Sequence, residues 1–373
     1  MAEVFVLAGG GSAGHVNPML ATAAELRRRR PDAEFRVLGT AEGLEAELVP
    51  AAGFDLTVLP KVPLPRRPSM DVLRFPGRWR AASATARAAI EDASAVVGFG
   101  GYVATPAYLA GRAAGVPIVV HEQNARPGLA NRLGARRAAA VAVTFEGTPL
   151  PRAQLVGLPL RPAIADLVQE RVTDAAGRAR TGAQFCALDP DRSTVLVTGG
   201  SLGAARLNAA VPAVAAELVA AGAQVLHLTG RGKSRAVLEA LEATGAQVRA
   251  HYHVREYLSE MEHALACADL VISRAGAGMV SELAALGIPA VYVPLPIGNG
   301  EQRLNATPVV RAGGGLLVAD AELTGPWLRQ HVLPLLTDTE RRERMGADAA
   351  RAGITDGAAR LADLVLEAGG ADR

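Results

Sequence analysis

At 373 residues the chain is longer than one hydrophobic core ordinarily sustains, about 250–300 residues, so two domains are expected. Half of the residues are hydrophobic and 20% are charged, which excludes a disordered chain, and 40 glycines with 4% aromatics point to tight strand-to-helix loops among small aliphatic side chains. A formal net charge of +2 gives no global argument for nucleic acid, so no nucleic-acid partner is expected and any basic patch must be local; Cys186 and Cys267 lie in no Cys-x-x-Cys or Cys/His pattern, which argues against a disulfide framework and structural zinc.

The opening "MAEVFVLAGG" lacks the basic segment and the apolar length of a signal peptide, and no stretch approaches the roughly 18 uncharged apolar residues that span a bilayer. A soluble or peripheral protein is expected. "VFVLA" reads as a strand, followed by a helix capped by Asn17 with Pro18 in its first turn and ending in a solvated run, Arg27 to Arg30. "FRVLG" is a second strand, then "AVVGFGG", a helix from Tyr102 to Ala114, and the strand of "PIVVHEQN". After "PRAQLVGLPLRP" comes a charged stretch, Asp166 to Ala183, and "STVLVTGGSLGAARLN" then restarts the strand-glycine-helix scheme. Residues 94–124 and 268–298 share one layout: strand, small-residue loop, alanine-rich helix, Gly-Val/Ile-Pro, strand, loop. The pattern predicts an α/β protein of two facing, doubly wound, Rossmann-like parallel sheets, with ligands in the inter-domain cleft outside the carboxyl ends of the strands.

Three glycine loops carry the chemistry. Gly9, Gly11 and Gly14 satisfy G-x-G-x-x-G, yet the next strand ends in Leu38, Gly39 and Thr40, and Glu42 comes a few residues late for a dinucleotide's ribose. A purely structural turn leaves His15 unexplained. Gly199 to Gly203 reads as G-x-S-x-G, but a hydrolase needs an acid and then a histidine downstream. His227, His251, His253 and His263 fall in strand-like runs or on a helix, so Ser201 reads better as a phosphate ligand. The third loop, "SRAGAGMVSE", opens a helix bearing Ser281 and Glu282; the carboxylate either compensates the helix dipole or accepts both hydroxyls of a ribose. Several helix N-termini on one crevice suit a nucleoside diphosphate. Asp189-Pro190-Asp191, the one Asp-x-Asp candidate for a divalent ion, precedes a strand and resembles a turn, so no metal and no cofactor are expected; Arg161 and backbone amides would neutralise the diphosphate.

"GGGSAGHVNP", "LGTAEGLEAELVP", "GFGGYVATPAYLA", "PIVVHEQNARPGLANR", "VGLPLR", "TGGSLGAARLN", "VREYLSEM", "RAGAGMVSELAALGIPAVYVPLP" and "EQRLNA", in this order, resemble the bacterial lipid I N-acetylglucosaminyltransferase (MurG) family of GT-B fold over most of the chain. The resemblance implies inverting transfer of N-acetylglucosamine from UDP-N-acetylglucosamine to the 4-hydroxyl of the muramyl sugar of undecaprenyl-linked lipid I, giving lipid II for peptidoglycan. It implies an acceptor and membrane-side domain over residues 1–160, a UDP-sugar domain over 161–352, and a C-terminal helix, about 353–373, packed back on the first domain. Ser12, Ala13, Gly14 and His15 would line the first-domain side of the cleft, with Asn124 near the sugar. Arg161 and Ser201 would meet the diphosphate and Leu258 the uracil. Ala277, Gly278, Met279, Val280, Ser281 and Glu282 would form the nucleotide loop, Glu282 holding the ribose and Gln302 the sugar hydroxyls.

The chain departs from the family's Gly-Gly-Thr-Gly-Gly-His at Ser12, which keeps the hydroxyl, and at Ala13, whose Cβ is costly if the backbone there has a positive φ. Glu301 stands where a second glutamine is usual. Tyr102 and His121 could face the acceptor or simply pack. His15 is the loop's best base for the attacking hydroxyl, with a hydrogen bond to a phosphate or backbone carbonyl as its other reading. The segment Lys61 to Arg80 interleaves Arg66, Arg67, Arg74, Arg78 and Arg80 with Val62, Leu64, Val72, Leu73, Phe75 and Trp79, which suits peripheral docking on an anionic leaflet, the resemblance implying the cytoplasmic face; the other reading is a connection whose Phe75 and Trp79 pack on the first domain. Two alternatives stay open: a GT-B transferase with a different acceptor, and a UDP-sugar epimerase.

Overall fold

The computed structural model describes residues 3–62, 70–200 and 203–370, which divide into two compact units. The first comprises the chain up to Arg161 together with the segment from Asp356 onward; the second comprises Pro162–Thr355.

The first unit is built on seven strands: β1 (Val4–Gly9), β2 (Glu34–Gly39), β3 (Asp55–Val58), β4 (Ala95–Gly100), β5 (Ile118–Glu122), β6 (Ala140–Val143) and β7 (Ala153–Leu155). All pair in parallel, in the order β3-β2-β1-β4-β5-β6-β7. The central strands read VFVLAG and AVVGFG and are buried along their whole length, as parallel strands covered on both faces must be. Their alternation divides the core: Val4, Val6 and Ala8 join Val96, Ile90 and Tyr108 in one cluster, whereas Phe5 and Leu7 join Met19, Leu26, Val97 and Phe99 in another. The helices are α1 (Ala13–Arg29), α2 (Glu45–Ala51), α3 (Met70–Ile90), α4 (Gly101–Ala114) and α5 (Leu129–Gly134).

The C-terminal helix Gly357–Gly370 completes the second of these clusters with Leu361, Ala362 and Val365. Arg29 ties it to α1 through an ion pair with Asp363 and a hydrogen bond to the Ala359 carbonyl at 3.2 Å. Arg27 donates to the Gly53 carbonyl at 3.0 Å and lies over the Phe54 ring, 4.1 Å from its centroid. The run Arg27 to Arg30 is therefore not simply solvated. A second local expectation is also corrected. Asn17 does not cap α1, which begins four residues earlier with Ser12 at the N-cap, and Pro18 lies inside the helix. Its missing N–H leaves the Gly14 carbonyl without a ladder partner, a cost kept small because Gly14 is exposed to solvent.

The second unit repeats the plan with six parallel strands, β8 (Ser193–Thr198), β9 (Ala223–Leu228), β10 (Tyr252–Arg255), β11 (Leu270–Ser273), β12 (Ala290–Tyr292) and β13 (Gly315–Leu317). Their order is β10-β9-β8-β11-β12-β13. The charged stretch ahead of it forms α6 (Pro162–Phe185), bent at Asp174, whose φ of −149° and ψ of 66° interrupt the helix. In each sheet the order reverses beside the first strand, between β1 and β4 and between β8 and β11, which is where doubly wound sheets bind ligands. Among the described residues no helix is long and apolar enough to cross a membrane.

Candidate active site

At the first reversal the chain leaves β1, turns through Gly11 at φ 86° and enters α1. The Ser12 carbonyl accepts from the His15 and Val16 amides at 3.0 and 3.1 Å, while the Ser12 hydroxyl does not cap the helix but lies 3.0 Å from His15 Nδ1. Ala13 is the first helical residue, and the non-glycine residues with positive φ among those described are Arg152 and Ala187, so its Cβ carries no left-handed strain. The His15 imidazole sits below its usual pKa because burial disfavours its charge; a backbone hydrogen bond at Gly10 and the charge of Glu45 restore part of the loss.

The loop after β4 meets this turn at close range. Gly101 has φ 77°, and a Cβ on it would stand 2.5 Å from the Gly10 carbonyl oxygen. A Cβ on Gly100 would lie 3.3 Å from both His15 Nε2 and Asn131 Nδ2. Asn131 is buried; it donates to the His121 carbonyl and to Glu122 Oε2, both at 3.0 Å, and accepts from the Tyr108 hydroxyl at 2.7 Å. Glu122 also accepts from the Asn124 and Gly128 amides at 3.0 Å, which shapes the loop that carries half-buried Asn124. Burial raises the Glu122 carboxyl, and these hydrogen bonds oppose the rise. His121 is a packing residue: fully buried, it donates from Nε2 to the Gly157 carbonyl and accepts from Gln123 at Nδ1, both at 3.0 Å, and burial pulls its pKa down to about 4. Tyr102, at the start of α4, is 45% exposed.

At the second reversal β8 runs into Gly199, Gly200 and Gly203; Ser201 lies outside the described residues. Gly203, at φ 67°, abuts the Thr229 carbonyl, leaving no room for a side chain. β11 runs into Arg274, Ala275 and Gly276, and then the helix Ala277–Leu286, whose N-terminal amides no side chain caps. Arg274 donates to the Val293 and Pro294 carbonyls at 3.1 and 3.2 Å and pairs with Asp320 at 2.6 Å, binding the loops after β11 and β12 to one support. Ala277 and Val280 turn into the core, while Gly278, Met279 and Ser281 are half-buried. Glu282 lies in the second turn and is 7% exposed, so compensation of the helix dipole does not account for it, since that effect is confined to the first turn. Gln302 accepts from the Leu295 amide at 3.0 Å, Glu301 donates its amide to Asn299 at 3.2 Å, and Leu258 is buried after β10.

Three histidines downstream of the second glycine loop are engaged in other contacts. His227 is buried between the Tyr252 hydroxyl at 2.8 Å and the Asn208 side-chain Oδ1 at 3.0 Å, its pKa pulled to about 3 by burial. His263 stacks on Phe185, and His331, further along the chain, stacks on Trp327 and donates to its carbonyl at 2.9 Å. Asp189 accepts from the Asp191 amide at 3.0 Å, closing the turn read from the sequence.

Residues 5–143 match the glycosyltransferase family 28 N-terminal domain, and residues 194–361 match the family 28 C-terminal domain. The chain belongs to glycosyltransferase family 28. This family 28 chain is 55% identical to a Clavibacter sepedonicus protein over 98% of its own length and 96% of that protein's. It is 53% identical to a Bifidobacterium longum protein, over 97% and 96% respectively. Both carry the name UDP-N-acetylglucosamine--N-acetylmuramyl-(pentapeptide) pyrophosphoryl-undecaprenol N-acetylglucosamine transferase. The crystal structure of Acinetobacter baumannii MurG superposes with a TM-score of 0.76 at 26% identity, covering 98% of this chain and all of that one. The fold is GT-B, two Rossmann-like domains with parallel sheets.

Within each unit of the family 28 enzyme, the residues singled out from sequence gather at the carboxyl ends of the strands. Ser12, Ala13, Gly14, His15 and Asn124 do so in the first; Leu258, Ala277 to Glu282 and Gln302 do so in the second. Half-buried Arg161 ends the first unit's long segment. Of the Lys61 to Arg80 segment, residues 63–69 lie outside the described residues, and Phe75 and Trp79 stack with ring centroids 6.1 Å apart against the first unit's core. One residue that sequence reasoning passed over is Glu45, a fully buried carboxylate under the first glycine loop. The excess of glycine around it, Gly39 and Gly43, was the available signal.

Proposed function

We propose that this enzyme transfers N-acetylglucosamine from UDP-N-acetylglucosamine to the 4-hydroxyl of the muramyl sugar of undecaprenyl-diphosphate-linked lipid I, with inversion, forming lipid II. The observation that carries this reading is more than 50% identity, over almost the full length of both chains, to proteins named for that transfer. The acceptor oxygen attacks the anomeric carbon as its bond to UDP breaks. His15 takes the hydroxyl proton at Nε2, which requires that Nδ1–H donate to the Ser12 hydroxyl 3.0 Å away. The departing diphosphate is met by the uncapped amides of the helix Ala277–Leu286, by Arg161 and by Ser201, with no metal ion. Glu282 holds the ribose hydroxyls, Leu258 lies beside the uracil, and Gln302 and Asn124 contact the sugar.

We further propose that the enzyme works peripherally at the cytoplasmic face of the membrane, docking through the basic and apolar segment Lys61 to Arg80. In this segment the cations, rather than the packed Phe75 and Trp79, supply most of the attraction.

Incubation with UDP-N-acetylglucosamine, with and without lipid I, tests the reaction. Lipid II and UDP formed only when lipid I is present are expected. Isomerised UDP-sugar without acceptor would identify an epimerase, and transfer to another acceptor in preference to lipid I would overturn the substrate assignment.

A further inference from the structure

Glu45, the first residue of α2, is fully buried and lies under the loop that carries His15, 34 residues away in sequence from Gly11. Its carboxylate accepts three hydrogen bonds: Oε2 from the Gly11 amide at 3.0 Å, and Oε1 from the Thr40 amide at 2.9 Å and the Thr40 hydroxyl at 2.7 Å. Three glycines leave room for it, since a Cβ on Gly10, Gly39 or Gly43 would collide with the Glu45 side chain. Gly10 is thus enclosed between Glu45 on one side and Gly101 on the other. Among the described residues no cation forms an ion pair with Glu45, and a buried charge of that kind persists only where donors surround it. The next amide after Gly10 is the one Glu45 holds, at the left-handed residue that turns the chain into Ser12 and α1.

We propose that Glu45 is the positioning residue of the transferase site, clamping the turn at Gly11 so that Ser12 and the His15 imidazole are presented in working geometry. The proposal rests on the reading of His15 as the base. The groups that face the ring are few. On α1 it meets the Ser12 hydroxyl, and from the adjoining turn the Gly10 backbone. On the side of β4 and α4 it meets Gly100, which carries no charge, with Asn131 of α5 at the same distance from Gly100 and Glu122 behind Asn131. From α2 comes Glu45, whose charge raises the imidazole's otherwise depressed pKa and counteracts part of the burial effect. Burial raises the pKa of Glu45 itself, but the Gly11 and Thr40 hydrogen bonds outweigh that and hold the carboxyl below its ordinary range, so it stays charged at neutral pH.

Glu45→Gln is the decisive variant. Its amide oxygen can still accept both Thr40 donors, but its NH2 faces the Gly11 amide and it carries no charge. We expect kcat to fall about tenfold or more with donor KM changed by less than about twofold, because the loss is in presentation and basicity rather than in donor contacts. The His15 ring titration, followed by NMR, should move to lower pH, as should the acid limb of kcat. Thr40→Val is the second arm: it deletes the hydroxyl donor and keeps the charge, and kcat should fall about two- to fivefold with the His15 titration nearly unmoved. If Glu45→Gln does not fold, Thr40→Val alone decides, and an unchanged kcat overturns the clamp. If Glu45→Gln folds and leaves both kcat and the His15 titration at parental values, the proposal also fails. The NMR titration reports on Glu45 whether or not His15 is the base, whereas retention of the kcat acid limb in His15→Ala would overturn the base reading alone.

Discussion

Replacing His15 with alanine separates catalysis from structure. The imidazole is half-buried and shares hydrogen bonds with the exposed Ser12 hydroxyl and with the Gly10 backbone. Losing each costs about 0.5–1.5 kcal/mol of stability, and in a domain of this size about 1 kcal/mol corresponds to a melting shift of roughly 2–4 °C. Removing a general base costs far more in rate, about 10²- to 10⁴-fold in kcat, or roughly 3–5 kcal/mol in the barrier. The two effects are therefore distinguishable in one purified variant. The pH profile adds a second test. Because burial holds the His15 pKa below its ordinary value, the acid limb of kcat in the parent should fall below pH 6.5, the base being active above its pKa and lost as pH falls through it. In His15→Ala that limb should disappear while donor KM stays near the parental value. Steady-state kinetics with lipid I and UDP-N-acetylglucosamine from pH 5 to 9, beside a thermal melt, gives all three quantities. A variant that retains the limb and loses chiefly UDP affinity would refute the assignment and make His15 a phosphate ligand.

Glu282→Ala should raise donor KM, by the equivalent of on the order of 2–4 kcal/mol for charge-assisted hydrogen bonds to a ribose, with kcat less affected; an unchanged KM refutes the contact. Stability should fall in acid through His121. Its native pKa of about 4 lies below the ordinary value of 6.5, so the unfolded chain binds a proton that the native state does not as pH drops through that window. By pH 4 the loss is about 3 kcal/mol, and the melting temperature of His121→Gln should decline less steeply between pH 7 and 4.5 than the parent's. Phe75→Ala/Trp79→Ala should lower the melting temperature, because both rings pack on the first core, yet retain most of the binding to anionic liposomes at low salt. Loss of binding at an unchanged melting temperature would show instead that the aromatics insert.

Features set by short stretches of chain were readable without coordinates. Apolar β-branched runs such as VFVLAG and STVLVT, alternating with alanine-rich helical stretches, have the pattern of parallel strands buried on both faces, and the glycines after them mark turns into helices, so two doubly wound sheets and their loops follow from local chemistry. The nucleotide loop Ala277 to Glu282 and the turn Ser12 to His15 belong to this class, because one strand, one turn and one helix build each of them. Asn17-Pro18 is a good local start signal for a helix, yet α1 begins at Ala13. The local signal lost to the turn at Gly11, whose amide is held by a carboxylate 34 residues later. Long-range contacts decided the rest. Glu45 becomes a clamp only when β2 is laid beside β1, bringing α2 under the glycine loop. His121 becomes a packing residue only when its β5 strand is set against β6 and the Gly157 carbonyl lies 3.0 Å from its ring. Arg29 reaches Asp363 across 334 residues because the C-terminal helix fills the face that Phe5 and Leu7 present. Side chains of this kind have no periodicity of their own: what a buried polar group does depends on which donors the fold brings to it, and that is settled by tertiary packing.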